Sequence, residues 1–212
     1  MLLTRILTAI VLVVVLAIVL LLLPPTLAAG ALGLLALAGA WEWAAFAGLS
    51  RAPARAAYVV ACLVVMVGLW VVAGTPAGFN AVLGGALAWW CVAFLWILLW
   101  PRHGGPWLAG LAGILALAPM WVAITQLFEA GRIGRELVIF ALVIAWAADV
   151  GAYFVGRQFG RTKLAPWVSP NKTWEGALGG LAGGFLAALA AQAWFGFEAA
   201  AFLPLCVAVI LA

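Results

Sequence analysis

Apolar runs of similar length follow one another through this whole sequence, separated only by short polar turns. They cover residues 6–23, 27–49, 56–73, 81–100, 107–127, 137–155, 174–195 and 199–212. A helix needs about 20 apolar residues to cross the hydrocarbon of a bilayer, where it satisfies its own backbone hydrogen bonds. No polar stretch is long enough to enclose a soluble core, since 69% of the residues are hydrophobic and 8% are charged. The sequence therefore predicts an all-α, polytopic transmembrane bundle of about eight spans, the last incomplete, in one integral membrane domain over residues 1–212.

The basic residues are distributed unequally between the two sides that this topology defines. If the N-terminus is cytoplasmic, the loops on the opposite side hold only Arg132 and Arg135, offset by Glu129 and Glu136. The positive-inside rule favours this orientation. The N-terminus and the polar loop 156–173 are therefore predicted to be cytoplasmic. The other eight basic residues, all on the cytoplasmic side, are Arg5, Arg51, Arg55, Arg102, Arg157, Arg161, Lys163 and Lys172.

The polar loop 156–173 combines four cations with no acid, namely Arg157, Arg161, Lys163 and Lys172. Ser169-Pro170 is typical of an N-cap followed by proline at the first helical position, so a helix is predicted to begin there. Free N–H groups and the helix dipole favour an anion at such a start, and a phosphate is the expected anion. A solvated loop facing lipid headgroups is the alternative reading for the first three cations.

Asp149 is the ionisable residue that the sixth run carries about two turns from its predicted cytoplasmic end. A lone carboxylate costs a few kcal/mol at that depth, which predicts a partner or a functional cause. The alternative is a structural role, as a pair with Arg157 or Lys172 or through a hydrogen bond to a neighbouring helix, and the sequence leaves both interpretations open.

Glycines repeat at four-residue spacing in the seventh run. Gly176, Gly180 and Gly184 form one series, and Gly179 with Gly183 lies beside it. Such faces let helices approach closely in lipid. The pattern therefore predicts a tight helix contact close to the helix start, and Glu175 is placed there as a favourable first-turn charge.

Two blocks in this region resemble a known family. Asp149-Val150-Gly151-Ala152-Tyr153-Phe154-Val155-Gly156-Arg157 and Ser169-Pro170-Asn171-Lys172-Thr173-Trp174-Glu175-Gly176, at this spacing, resemble the phosphatidate cytidylyltransferases, also called CDP-diacylglycerol synthases. Trp41-Glu42-Trp43 is similar to the early region of that family, so the resemblance covers essentially the whole chain. It implies an integral enzyme of the bacterial inner membrane. In that enzyme phosphatidate attacks the α-phosphorus of CTP, giving CDP-diacylglycerol and pyrophosphate, with Mg²⁺ as cofactor.

The chemistry of this transfer, which needs positioning and charge neutralisation, predicts roles for particular residues. Asp149 and Lys172 are the predicted catalytic residues. Lys172 is placed to meet the phosphates of CTP or the leaving pyrophosphate, and Asp149 to assist metal binding or to orient Lys172. The predicted substrate-binding residues are Ser169, Asn171, Thr173, Glu175, Arg157, Arg161 and Lys163. The expected partners are CTP, phosphatidate and membrane lipid; no nucleic acid is expected, and a homodimer is left open.

The chain departs from the family near its C-terminus. The acid before a Lys-Arg pair and the following Lys-Asp, His-Gly-Gly and Asp-Arg-x-Asp run do not occur before Ala212. The resemblance implies metal binding through those aspartates, and the six acids here include no close pair suited to Mg²⁺. The metal ligands are therefore unknown and expected beyond Ala212. The chain is interpreted as roughly the N-terminal three quarters of the enzyme, inactive as it stands.

Two other classes of protein compete with this interpretation. A transporter or channel subunit would use the intramembrane acid with a basic gate, although no repeated halves or interrupted helix pairs are visible. A lipid kinase, or a CTP-dependent enzyme acting on a prenyl lipid, is nearer in chemistry. The residues alone do not choose the lipid, because acyl-chain contacts are generic apolar surface.

Overall fold

The computed structural model describes residues 2–100, 104–166, 169–200, 202–203 and 206–207. Two compact units make up the chain, Met1–Arg135 and Glu136–Ala212. The described residues include seven long helices and one two-stranded antiparallel sheet, with a few further helical residues between 199 and 207.

The first unit is built from helices joined by short turns. They are α1 Leu2–Leu22, α2 Pro25–Phe46, α3 Ala52–Val72, α4 Pro76–Leu99 and α5 Pro106–Glu129, after which α6 begins at Arg132. From α2 to α5, each helix has a proline at its first or second position, where the missing N–H costs nothing and the fixed φ suits a helix. Prolines in the turns therefore set where these four helices begin.

In helix α2 of this unit, the buried residues are small and the large apolar ones are exposed or half-buried. Ala28 and Ala40 of α2 are completely buried, whereas Leu34 of the same helix is 71% exposed. This distribution is expected where lipid tails cover the outside and helices associate by close packing. Indole N–H groups reach backbone carbonyls, as when Nε1 of Trp43 donates to Ala109 O at 2.7 Å and Nε1 of Trp121 donates to Ala29 O at 2.9 Å.

The second unit consists of most of α6, a hairpin and α7. Helix α6 is Arg132–Phe159, strand β1 is Lys163–Ala165, strand β2 is Ser169–Thr173 and helix α7 is Trp174–Phe195. The strands pair antiparallel, with Lys163 opposite Thr173 and Ala165 opposite Ser169. The polar hairpin is therefore inserted between two long apolar helices.

Six helices in the described part of the chain, α2 to α7, are long and apolar enough to cross a membrane. The predicted all-α transmembrane architecture is confirmed, and its count of eight spans is only approximate. The predicted span over 199–212 falls largely outside the described residues. Those that are described there and helical are Ala199, Ala200, Phe202, Leu203, Cys206 and Val207.

The prediction of a helix start at Ser169-Pro170 is wrong. Ser169–Thr173 is a strand, and α7 begins at Trp174 with Thr173 as its N-cap. Ser169 does not cap a helix, because the segment that it begins pairs as a strand with Lys163–Ala165. Pro170 is compatible with this strand, since the outer edge of a two-stranded ribbon needs no N–H donor. The loop 156–173 is also less irregular than predicted, because α6 continues to Phe159 and the hairpin takes up most of the rest.

Candidate functional site

Helices α6 and α7 cross closely because glycines lie on both sides of the contact. A Cβ atom placed on Gly176 would lie 3.2 Å from Cα of Gly156, and one placed on Gly180 would lie 3.1 Å from Ala148 O. The glycines Gly176, Gly179, Gly180 and Gly184 are all buried. The tight contact that the four-residue spacing predicts is confirmed, with α6 as the partner.

The hairpin is fixed to the start of α7 by hydrogen bonds. Thr173 Oγ1 accepts from Gly176 N at 3.1 Å, and Trp174 N donates to Thr162 O at 2.9 Å. The Glu175 carboxylate accepts from the backbone N–H groups of Arg161 at 3.1 Å and Thr162 at 3.2 Å. These bonds fix the end of β2, where Lys172 is the last residue but one, to the start of α7.

A cavity of about 590 Å³ opens where α6, the hairpin and α7 meet. It receives a carboxylate and a guanidinium from α6, an ammonium and polar side chains from the hairpin, and small residues from α7. Its lining is Asp149, Ala152, Tyr153, Gly156, Arg157, Leu164, Ser169, Asn171, Lys172, Thr173, Gly176 and Ala177.

Six of the nine predicted site residues line this cavity and three do not. The six are Asp149, Arg157, Ser169, Asn171, Lys172 and Thr173. Arg161, Lys163 and Glu175 lie in the same unit outside the lining. The Glu175 carboxylate instead accepts a hydrogen bond from the backbone of Arg161, just after α6. Thr173 both lines the cavity and caps α7.

The charges in the lining are two cations and one acid. Asp149 is exposed, and among the described residues its carboxylate makes no hydrogen bond or ion pair with Arg157, Lys172 or any other side chain. Lys172 is likewise exposed and unpaired within that part of the chain. The cavity therefore presents charge that a phosphate-bearing ligand can neutralise.

The start of α7 contributes less to anion binding than predicted. Two of its first three N–H groups, those of Trp174 and Gly176, already donate to Thr162 O and Thr173 Oγ1. The described cavity therefore offers an anion its cationic and polar side chains rather than these two backbone donors.

Tyr153 is a cavity residue that the sequence prediction missed. It lies four residues after Asp149 and four before Arg157, so all three lie on one face of α6. That spacing was visible in the sequence, and it would have indicated Tyr153 as a neighbour of both charged residues.

A magnesium ion would need more acids than the described site supplies. Within the described ranges, no three of the residues His, Cys, Asp and Glu lie together in a way that could hold a metal. Asp149 is the only carboxylate in the cavity lining. Since Mg²⁺ prefers several oxygen ligands in octahedral geometry, these residues do not by themselves form its site.

Fold and site together define an integral membrane protein that holds a cavity with charged and polar side chains in its lining, where two apolar helices and a polar hairpin meet. Residues 3–212 match the model of the Cytidylyltransferase family. The chain belongs to this family, which confirms the resemblance seen in its two sequence blocks.

Relatives of known name agree with the family match. The chain is 40% identical over 186 residues to the phosphatidate cytidylyltransferase of Pseudomonas aeruginosa, covering 86% of this chain and 67% of that protein. It is 35% identical over 200 residues to the phosphatidate cytidylyltransferase of Haemophilus influenzae, covering 85% of this chain and 69% of that protein. No solved structure matches the chain.

Proposed function

We propose that this protein is a phosphatidate cytidylyltransferase, which converts CTP and phosphatidate into CDP-diacylglycerol and pyrophosphate. The relatives that carry this name support it. The observation that carries it is the cavity in which Asp149, Arg157 and Lys172 converge from α6 and the hairpin. An enzyme that joins a soluble nucleotide to a lipid phosphate needs polar, cationic groups at the edge of a membrane-embedded bundle.

The proposed reaction asks the protein for positioning and charge neutralisation. An oxygen of the phosphatidate phosphate forms a bond to the α-phosphorus of CTP. The bond from that phosphorus to the bridging oxygen of the β-phosphate breaks, and pyrophosphate leaves with the electron pair. Lys172 and Arg157 neutralise charge on these phosphates, which is where most catalysis of phosphoryl transfer arises. Ser169 and Asn171 donate hydrogen bonds to the same oxygens.

Asp149 and the metal have separate parts in this proposal. We assign Asp149 to keeping Lys172 oriented toward the cavity when the phosphates are bound. Mg²⁺ is the proposed cofactor, and it would supply further neutralisation of the triphosphate. The described residues do not complete a site for it, so no step is assigned through the metal.

The location follows the same family likeness. We propose the inner membrane of a bacterium, with the hairpin on the cytoplasmic side, where CTP is found. The excess of basic residues in the loops on that side supports this orientation.

The test is CTP-dependent formation of CDP-diacylglycerol in membranes that carry the protein expressed from its whole gene. Lys172→Met removes the charge and keeps the apolar stem. The lost charge-assisted hydrogen bond is worth about 1.5–3 kcal/mol, so the rate should fall at least about tenfold. Asp149→Asn keeps size and hydrogen bonding, and it should also lower the rate severely while the protein inserts normally.

Lys163→Met is the matched control, because Lys163 lies on the same hairpin outside the cavity lining. It should cost far less activity at equal protein levels. Near-parental rates in both Lys172→Met and Asp149→Asn would show that the assigned site is wrong. Incorporation of CTP into a prenyl phosphate, with none into phosphatidate, would move the proposal to a different lipid.

A further inference from the structure

Three side chains follow one another along the cavity face of α6. Asp149, Tyr153 and Arg157 are four residues apart, so each is about 6 Å further along the helix than the one before. The first and last carry the charges already assigned to the site. Tyr153, which separates them, has no role in the reaction described above.

Tyr153 contacts Arg157 directly through two interactions. Nη1 of Arg157 donates a hydrogen bond to the phenolic oxygen of Tyr153 at 2.8 Å. The guanidinium carbon also lies 5.9 Å from the centroid of the Tyr153 ring, within the range of a cation–π contact. Both side chains are exposed, so this pair, rather than burial, restrains the guanidinium.

The tyrosine ring also contacts the next residue of α6. It packs edge to face on Phe154, with ring centroids 5.5 Å apart and planes at 79°. The hydrogen bond and this ring contact therefore link Arg157, Tyr153 and Phe154 on the surface of α6.

An arginine held by one nitrogen can still bind a phosphate. The guanidinium has five N–H donors in a planar fork, and a phosphate accepts two of them in parallel. The hydroxyl hydrogen of Tyr153 also remains able to donate. An unrestrained Arg157 would instead distribute over many rotamers and lose that freedom only when the ligand binds.

We propose that Tyr153 is a positioning residue, which holds the guanidinium of Arg157 ready for a substrate phosphate in this cavity. The inference rests on the proposed function, in which the cavity receives the phosphates of CTP and phosphatidate. In this role the phenolic oxygen of Tyr153 is needed, and not only its ring, because the oxygen accepts the hydrogen bond from Arg157.

Tyr153→Phe is the direct test, because it removes the oxygen and keeps the ring and its packing on Phe154. We expect KM for CTP or for phosphatidate to rise about fivefold to tenfold, and kcat to change less than about twofold. With Arg157→Ala already present, the same change should alter KM less than about twofold, since there is no guanidinium left to position.

The second tyrosine of the chain supplies the control. Tyr58 donates its hydroxyl hydrogen to Gly110 O at 2.7 Å within the first unit, and it is not among the residues that line the cavity. Tyr58→Phe also removes one phenolic hydrogen bond, and it should leave KM for both substrates at the parental value.

A binding measurement separates this inference from the proposed function. Inorganic pyrophosphate should raise the Tm of the detergent-solubilised parent, and less so for Tyr153→Phe and Arg157→Ala. If the parent protein makes no CDP-diacylglycerol, the proposed function is refuted, and the positioning role of Tyr153 is then tested by pyrophosphate binding. Parental KM values in Tyr153→Phe, an equal rise in KM with and without Arg157, or equal stabilisation of parent and Tyr153→Phe by pyrophosphate would each overturn the positioning role.

Discussion

Thr173 shows how one side chain can serve the fold and the site at once. Its Oγ1 caps α7 by accepting from Gly176 N, and the residue is only 7% exposed. Thr173→Val keeps the shape but loses that acceptor, and N-cap losses typically cost about 0.5–2 kcal/mol. We expect a lower Tm in detergent. We also expect a fall in CTP-dependent activity, because Lys172 immediately precedes Thr173.

Thr75 provides a matched comparison, since it caps α4 in the same way by accepting from Gly78 N at 3.1 Å. Thr75→Val should lower Tm without a specific loss of activity once protein levels are matched. If Thr173→Val lowers Tm but leaves activity at the level of Thr75→Val, Thr173 is only a cap and does not position Lys172.

At the residue scale, sequence reasoning reached the residues whose spacing is local. Asp149 and Arg157 are eight residues apart, so one helix face explains why both line the cavity. Glu175 and Arg161 could not be placed this way. Their contact depends on a hairpin that brings the end of α6 back to the start of α7, and a charge count does not reveal that path.

At the scale of the elements, the site depends most directly on the contact between helices α6 and α7. Gly180→Leu would place a side chain where a Cβ atom alone would lie 3.1 Å from Ala148 O and 3.2 Å from Ala152 Cβ. Overpacking of this kind typically costs about 1–3 kcal/mol. We therefore expect the detergent-solubilised protein to melt lower or to aggregate.

Ala182→Leu on the exposed side of α7 is the control, because it adds apolar volume where the residue is not buried. It should leave the melting temperature close to the parental value. An unchanged melting temperature in Gly180→Leu would mean that this glycine face does not make the close contact with α6.

Among the elements, long apolar helices were the most predictable and the short hairpin the least. A run of about 20 apolar residues specifies a spanning helix by itself. Strand β2, in contrast, exists because Lys163–Ala165 pairs with it, and local signals cannot report a pairing partner. Ser169-Pro170 therefore looked like a helix start, although the cap lies four residues later at Thr173.

At the scale of the whole molecule, the polar chemistry is concentrated in one of the two units. Every residue that lines the candidate cavity belongs to Glu136–Ala212. In Met1–Arg135 the side chains of Trp43, Tyr58 and Trp121 donate hydrogen bonds to backbone carbonyls of other helices. These bonds stabilise helix packing. Composition alone predicted a membrane protein, but only the two motif blocks could indicate which unit carries the chemistry.

The sidedness of the membrane is the last consequence of the charge pattern, and α6 makes it testable. This helix of 28 residues is about 42 Å long, enough to carry its two ends to opposite surfaces.

The test uses single cysteines at two exposed positions, replacing Gly131, just before α6, and Gln158, near its end. Cys62, Cys91 and Cys206 must first be replaced. In intact cells an impermeant thiol reagent should label the cysteine at 131 and spare the one at 158, which should react only after the membrane is opened. Equal labelling in intact cells would contradict the eight-to-two charge asymmetry as a guide to orientation. It would also remove the cytoplasmic hairpin on which access to CTP depends.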